Sequence, residues 1–230
     1  MKTIGLLGGM SWESTALYYK LINEEVKNQL GSLHSAKIVL YSVDFDEIEK
    51  LQHKGDWDKT AEILFNASKN IEDASADFIV LCTNTMHKVL PQIEDKIGIP
   101  FLHIADATGN VLSECNIKKV GLLGTAFTMQ QDFYKNRIIE NFGINVIVPN
   151  EQEMNIVHKI IYDELCLGIV KEESKKLYLK IIDNLILNGA EGIILGCTEI
   201  GMLVKQEDTD AKLFDTTYIH SIQAVKEALK

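Results

Sequence analysis

Two apolar runs end in small polar clusters, and those clusters hold the residues with chemistry to offer. Phe78–Leu81 leads into Cys82, Thr83, Asn84 and Thr85, while Ile193–Leu195 leads through Gly196 into Cys197, Thr198 and Glu199. A thiol beside hydroxyls and a carboxylate suits proton transfer at a reacting carbon. A thiol at a helix N-terminus has its pKa drawn below the free value of about 8.5, so Cys197 is expected to be a reactive thiolate. Gly196 is expected to keep the approach to it open. Asn84, Thr85 and Thr198 read equally as anion ligands beside free backbone N–H groups or as plain N-caps.

The two clusters are copies. Ala76–Thr85 aligns with Ala190–Glu199 at an offset of 114 residues, and Ile4–Gly9 aligns with Val120–Thr125 at an offset of 116. Matched motifs in one order at nearly one spacing indicate a duplicated half, which tips Asn84, Thr85 and Thr198 towards ligand roles. Thr83 stands in the first copy where Cys197 stands in the second. Cys82 is one residue earlier, and the two-residue period of a strand turns it to the opposite face, so it reads as a core thiol.

Other candidates carry weaker signals. Gly5–Ser11 has neither the third glycine of a dinucleotide fingerprint nor the Gly-Lys-Ser/Thr of a P-loop, and reads as a strand–turn–helix that brings backbone near a small ligand. Its counterpart offers Thr125 and Thr128. Ser11 and Ser14 read as caps for the following helix. His87, four residues after Thr83, reads either as a residue that orients a site group or as a satisfied core histidine, with the core role slightly favoured. The cysteines, Cys82, Cys115, Cys166 and Cys197, show no CxxC spacing, so neither a zinc site nor a redox pair is expected.

These positions need a scaffold of alternating elements. Strand-like runs fall at Thr3–Leu7, Lys37–Tyr41, Phe78–Leu81, Phe101–Ile104, Lys119–Leu123, Asn145–Val148 and Ile193–Leu195. Helical patterns fall at Trp12–Leu30, Trp57–Ala74, Met86–Glu94, Ala105–Glu114, Met129–Asn141, Glu151–Leu167 and Glu172–Asn188. The alternation predicts an α/β protein with parallel sheets, whose strand C-termini are where ligands bind. The boundary is placed near Gly98-Ile99-Pro100, and the tail from Leu213 onward is returned to the first half. That makes residues 1–98 plus 208–230 one half and residues 99–207 the other.

A net charge of −10 and a pI near 5.1 argue against a nucleic-acid protein, which usually shows a basic face. No apolar stretch approaches the roughly 20 residues of a membrane helix. The apolar run after Lys2 is broken by Gly8-Gly9, a poor signal peptide. The expected location is therefore the cytoplasm, with neither nucleic acid nor membrane as partner.

With these residues in place, the chain resembles the aspartate/glutamate racemase family over essentially its whole length, most closely its bacterial L-aspartate/glutamate-specific members. The likeness is carried by Gly8-Gly9-Met10-Ser11, by Asn84-Thr85 with His87, by Gly121–Thr125 with Phe133-Tyr134, and by Glu164-Leu165 with Gly168. Gly196-Cys197-Thr198-Glu199 is its most specific part. The resemblance implies two similar α/β domains with the active site in the cleft between them, a small amino-acid substrate, no cofactor, no metal, and a homodimer. It implies two cysteines flanking the substrate α-carbon, one removing a proton and the other supplying one. It makes Cys197 and Thr83 the catalytic pair, and Met10, Gln52, Asn84, Thr85, Thr125, Thr128, Thr198 and Glu199 the substrate-binding set.

The chain departs from the family at Thr83, where the first cysteine would stand. A hydroxyl is a far weaker acid and base than a thiol, so an asymmetric enzyme is expected: Cys197 takes the α-proton of the L-enantiomer and the reverse direction is slow. Asp44–Lys50 also lacks an arginine for a distal carboxylate, leaving Gln52 as the nearest candidate. The competing expectations are a one-cysteine decarboxylase or isomerase of the same superfamily, and a non-catalytic binding protein for small carboxylates.

Overall fold

The computed structural model describes residues 1–230 and divides into two compact units, Met1–Ile104 with His220–Lys230, and Ala105–Ile219. In the first, β1 (Ile4–Gly8), α1 (Trp12–Leu30), β2 (Ile38–Ser42), α2 (Phe45–Lys54), α3 (Trp57–Asp73) and β3 (Phe78–Leu81) come in that order. A 3-10 turn (Thr85–Val89), a short α4 (Leu90–Ile93) and β4 (Phe101–Leu102) follow. The strands form one parallel sheet in the order β2-β1-β3-β4.

Alternation along these strands divides the core into two layers. Ile4, Leu6, Phe78 and Val80 pack with Tyr18, Ile22 and Val26 of α1. Leu7, Ile79 and Leu81 pack on the other face with Ile48, Leu64 and Ile71 from α2 and α3. The four-residue spacing of Tyr18, Ile22 and Val26 gives α1 a single buried stripe, and the aliphatic Ile22 and Val26 each contribute roughly 1.5–3 kcal/mol on burial. Ser11 caps α1 by accepting from the Ser14 N–H at 3.3 Å, as its sequence position predicts.

The second unit repeats the plan. It contains α5 (Ile104–Glu114, which begins on the last residue of the first unit), β5 (Lys119–Gly124), α6 (Ala126–Gln130), α7 (Asp132–Phe142), β6 (Asn145–Ile147) and α8 (Glu151–Asp163). After these come α9 (Glu172–Leu187), β7 (Ile193–Gly196), α10 (Ile200–Leu203), β8 (Leu213–Asp215) and the start of α11 (Thr216–Leu229). Its parallel sheet runs β6-β5-β7-β8. The strand orders match one to one, and so does the register: Gly5 lies opposite Ile79 in one sheet and Gly121 opposite Ile193 in the other. No helix is long and apolar enough to cross a membrane.

The expected halves differ from these units at two places. Residues 101–102, assigned above to the second half, form β4 of the first sheet, and residues 213–215, assigned to the first half, form β8 of the second. The chain passes back to the first unit only within α11, whose Ala224, Val225 and Ala228 fill the layer beside α1. The physical reason is pairing: each short strand completes the open edge of the sheet whose central strand precedes it. Three helical expectations also break up. Met86–Glu94 is a 3-10 turn followed by α4, Met129–Asn141 is interrupted at Gln131, and Glu151–Leu167 ends at Asp163 before a separate 3-10 turn over Leu165–Leu167.

Candidate active site

The two polar clusters sit at equivalent sheet positions. Thr83 lies four residues beyond Ile79 and Cys197 four beyond Ile193, and those two residues hold matching register places beside Gly5 and Gly121. Both leave the C-terminal end of a central strand, where open parallel sheets place ligand groups. Each is nearly enclosed, with 8% of Thr83 and 9% of Cys197 exposed.

In the first unit, Cys82 is fully buried with Val80 in the α1-side layer. Burial pushes its thiol pKa far up, so it stays protonated. Thr83 follows it, two residues beyond the end of β3. Its carbonyl oxygen is held by His87, whose Nδ1 lies 2.8 Å away. A carbonyl only accepts, so Nδ1 carries the hydrogen, and Nε2 accepts from the Ile104 N–H at 3.2 Å. His87 is thus a buried imidazole with both nitrogens satisfied by backbone, the core role favoured from sequence, and its bond to the Thr83 carbonyl also holds that peptide in place.

The remaining first-unit candidates are Met10, Gln52, Asn84 and Thr85, all buried. The Gln52 amide Nε2 donates to Met86 Sδ at 2.9 Å. Met10 packs in the layer that contains Ile48 and Met86. Asn84 starts the 3-10 turn without a side-chain capping bond, so capping does not account for it.

In the second unit, Thr125 caps α6, accepting from the Thr128 N–H at 3.3 Å, and the two hydroxyls lie 3.2 Å apart. His158 of α8 supports the same turn by accepting from the Ala126 N–H at 3.2 Å. Sequence gave no hint of His158, because its partner is 32 residues away. Thr128 also closes on the strand ends, since a Cβ built on Gly124 would lie 3.2 Å from its Cβ.

The arrangement at Cys197 overturns the expected thiolate. Cys197 Sγ lies 3.0 Å from Glu199 Oε2, and the Thr198 hydroxyl donates to that same oxygen at 2.8 Å. Glu199 is buried, and its carboxylate is aimed at the thiol. Burial, then the Glu199 charge, then Cys166, push the Cys197 pKa well above the ordinary thiol value. The helix expected to lower it is α10, four residues long and starting only at Ile200. Desolvation and an adjacent anion both oppose thiolate formation and outweigh so short a helix.

Tyr178 of α9 belongs to the same layer. It is fully buried, donates to the Val157 carbonyl at 3.2 Å, and is held neutral chiefly by burial. The expected reason for Gly196 also changes. A Cβ there would meet Leu122 Cδ1 at 2.7 Å and the Leu123 carbonyl oxygen at 2.8 Å, so glycine is required by packing of β7 on β5.

Comparisons with known proteins agree with this architecture. The family model described as Asp/Glu/hydantoin racemase matches residues 7–228. A crystal structure from Yersinia pestis, provisionally named an Asp/Glu racemase, is 54% identical, with full coverage of both chains and a TM-score of 0.93. An aspartate racemase homologue from Pyrococcus horikoshii is 34% identical over the full length of both chains, with a TM-score of 0.84. The broad-specificity amino-acid racemase of Bacillus subtilis is 23% identical over 93% of this chain and 92% of its own.

Proposed function

The chain belongs to the Asp/Glu/hydantoin racemase family, and from that premise we propose that it is a cofactor-independent racemase of acidic amino acids, aspartate and glutamate. Cys197 exchanges the α-proton on one face of the substrate carbon, and the Thr83 hydroxyl, directly or through water, serves the other. The observation that carries this reading is the register equivalence of Thr83 and Cys197, each at the end of a central strand and each barely exposed. The carbanion left by loss of the α-proton is stabilised by hydrogen-bond donors around the α-carboxylate, for which Asn84, Thr85 and Thr198 are the candidates.

Asymmetry between a thiol and a hydroxyl takes a particular form. The enantiomers are equal in free energy, so detailed balance makes kcat/KM for inversion the same in both directions. The asymmetry therefore appears as exchange with retention: an L-amino acid loses its proton to Cys197 and regains a solvent proton from the same thiol faster than the Thr83 face completes inversion.

The test is α-proton exchange in deuterated water, followed by NMR, with L- and D-aspartate and L- and D-glutamate. Wild type is expected to exchange L-substrate faster than it inverts it, and Cys197→Ser to lose about 10²–10⁴ in rate. Equal exchange from both enantiomers would refute the one-sided assignment. No exchange from any of the four, together with carbon dioxide release from a substituted malonate, would replace racemisation by decarboxylation, a reading favoured by the single thiol.

A further inference from the structure

We propose that Glu199 is the group that takes the Cys197 proton when substrate arrives, so that Cys197 rests as a thiol and becomes a base only during the reaction. This rests on the racemase reading of the site. The geometry carries it. Glu199 Oε2 lies 3.0 Å from Sγ, within reach of direct proton transfer, and is held in place by the Thr198 hydroxyl at 2.8 Å. Glu199 is buried, so bulk water does not compete for the proton.

Protons and electrons balance as follows. In the L to D direction the S–H bond breaks and an Oε2–H bond forms. The Cys197 sulfur then takes the α-hydrogen, re-forming S–H, and the electron pair stays on the substrate as its enediolate. The Thr83 face supplies the proton that completes the D-product, and the Glu199 proton returns to that face through solvent after product release. The D to L direction is the reverse. The Thr83 face first gives up its proton, which solvent carries to Glu199, and that face then takes the α-hydrogen of the D-substrate. The Cys197 thiol protonates the enediolate and becomes a thiolate, and Glu199 returns its proton to the sulfur. Glu199 acts through Cys197 and is therefore a positioning and proton-accepting residue, and one carboxylate serves both directions.

Other ionisable groups face the same place. Cys166, in the 3-10 turn after α8, and Tyr178 of α9 lie near Cys197, and the Glu164 charge also acts on Tyr178. Asp215, at the end of β8, lies against Gly201 of α10, with Lys205 as its neighbouring cation. Among the groups of this unit, Glu199 is the one whose carboxylate oxygen is bonded to Sγ.

The test compares wild type, Glu199→Gln and Glu199→Asp by two readouts. The first is the pH dependence of L-aspartate α-proton exchange. Glu199→Gln is expected to lose about 10²–10⁴ in rate and to climb about tenfold per pH unit, since solvent base must then deprotonate the thiol. Wild type stays level over the same range, and Glu199→Asp recovers part of the rate and the level profile. The second readout is iodoacetamide alkylation of the Cys197 peptide, followed by mass spectrometry without substrate. Removing the adjacent negative charge lowers the thiol pKa, so Glu199→Gln is expected to alkylate faster although it exchanges more slowly. Exchange in Glu199→Gln close to wild type, or slower exchange with an unchanged pH profile, overturns the proposal. If wild type exchanges none of the amino acids, the racemase reading fails. Alkylation then decides the Glu199–Cys197 coupling alone, with faster reaction supporting it and an unchanged rate overturning it.

Discussion

His220 links the stability of the first unit to pH. It is fully buried, with Nε2 2.8 Å from the Leu102 carbonyl oxygen and Nδ1 3.0 Å from the Tyr18 hydroxyl. The carbonyl only accepts, so Nε2 carries the hydrogen and Nδ1 accepts from Tyr18. Burial pushes the imidazole pKa down from 6.5 to about 4, although the Leu102 bond works the other way. Between those values the unfolded chain binds a proton that the folded chain refuses, so stability falls as pH drops from 6.5 towards 4. About 2.5 pH units at about 1.36 kcal/mol each amount to roughly 3 kcal/mol. At this chain length that is on the order of 10 °C in melting temperature. The assay is urea unfolding of wild type and His220→Gln between pH 7.5 and pH 4. At neutral pH the variant should be weaker by about 1–3 kcal/mol, because the Tyr18 hydroxyl and the Leu102 carbonyl are no longer both well matched. That gap should shrink by roughly 3 kcal/mol towards pH 4, because only wild type must accommodate a charged imidazole there. Carboxylate titration is common to both proteins and cancels. A gap that stays constant across the range would refute the reasoning.

Gly196→Ala should destabilise the second unit by about 1–3 kcal/mol, because its Cβ would collide with the Leu123 carbonyl, which cannot swing aside. A urea midpoint equal to wild type would show that the packing argument is mistaken. Cys82→Ala should keep α-proton exchange intact and lose about 1 kcal/mol of stability, as expected for a core side chain shortened by one heavy atom. Loss of exchange in a folded Cys82→Ala protein would mean that this thiol reaches the reacting carbon.

The duplication was legible in the sequence because the same backbone task is set twice. Glycines at the end of β1 and β5, and small polar residues after β3 and β7, recur at nearly one offset, and the sheet registers reproduce that alignment. The core placement of Cys82 was legible for the same reason, since strand alternation is a local property. The helix α2 escaped notice because Phe45–Lys54 is dominated by charge, with only Ile48 and Gln52 buried.

Sequence alone determined the α/β class, the equivalent positions of Thr83 and Cys197 in the two halves, and the resemblance that names a family. Tertiary structure decided where β4 and β8 belong, because strands of two and three residues carry almost no periodic signal and take their sheet from long-range pairing. It also decided the state of Cys197. A rule about helix ends predicts a thiolate, but ionisation depends on the free energy of a charge in its surroundings. Those surroundings are a buried layer assembled from α8, α9 and α10 with the Glu199 carboxylate 3.0 Å away, contacts that no local reading of Gly196–Glu199 contains.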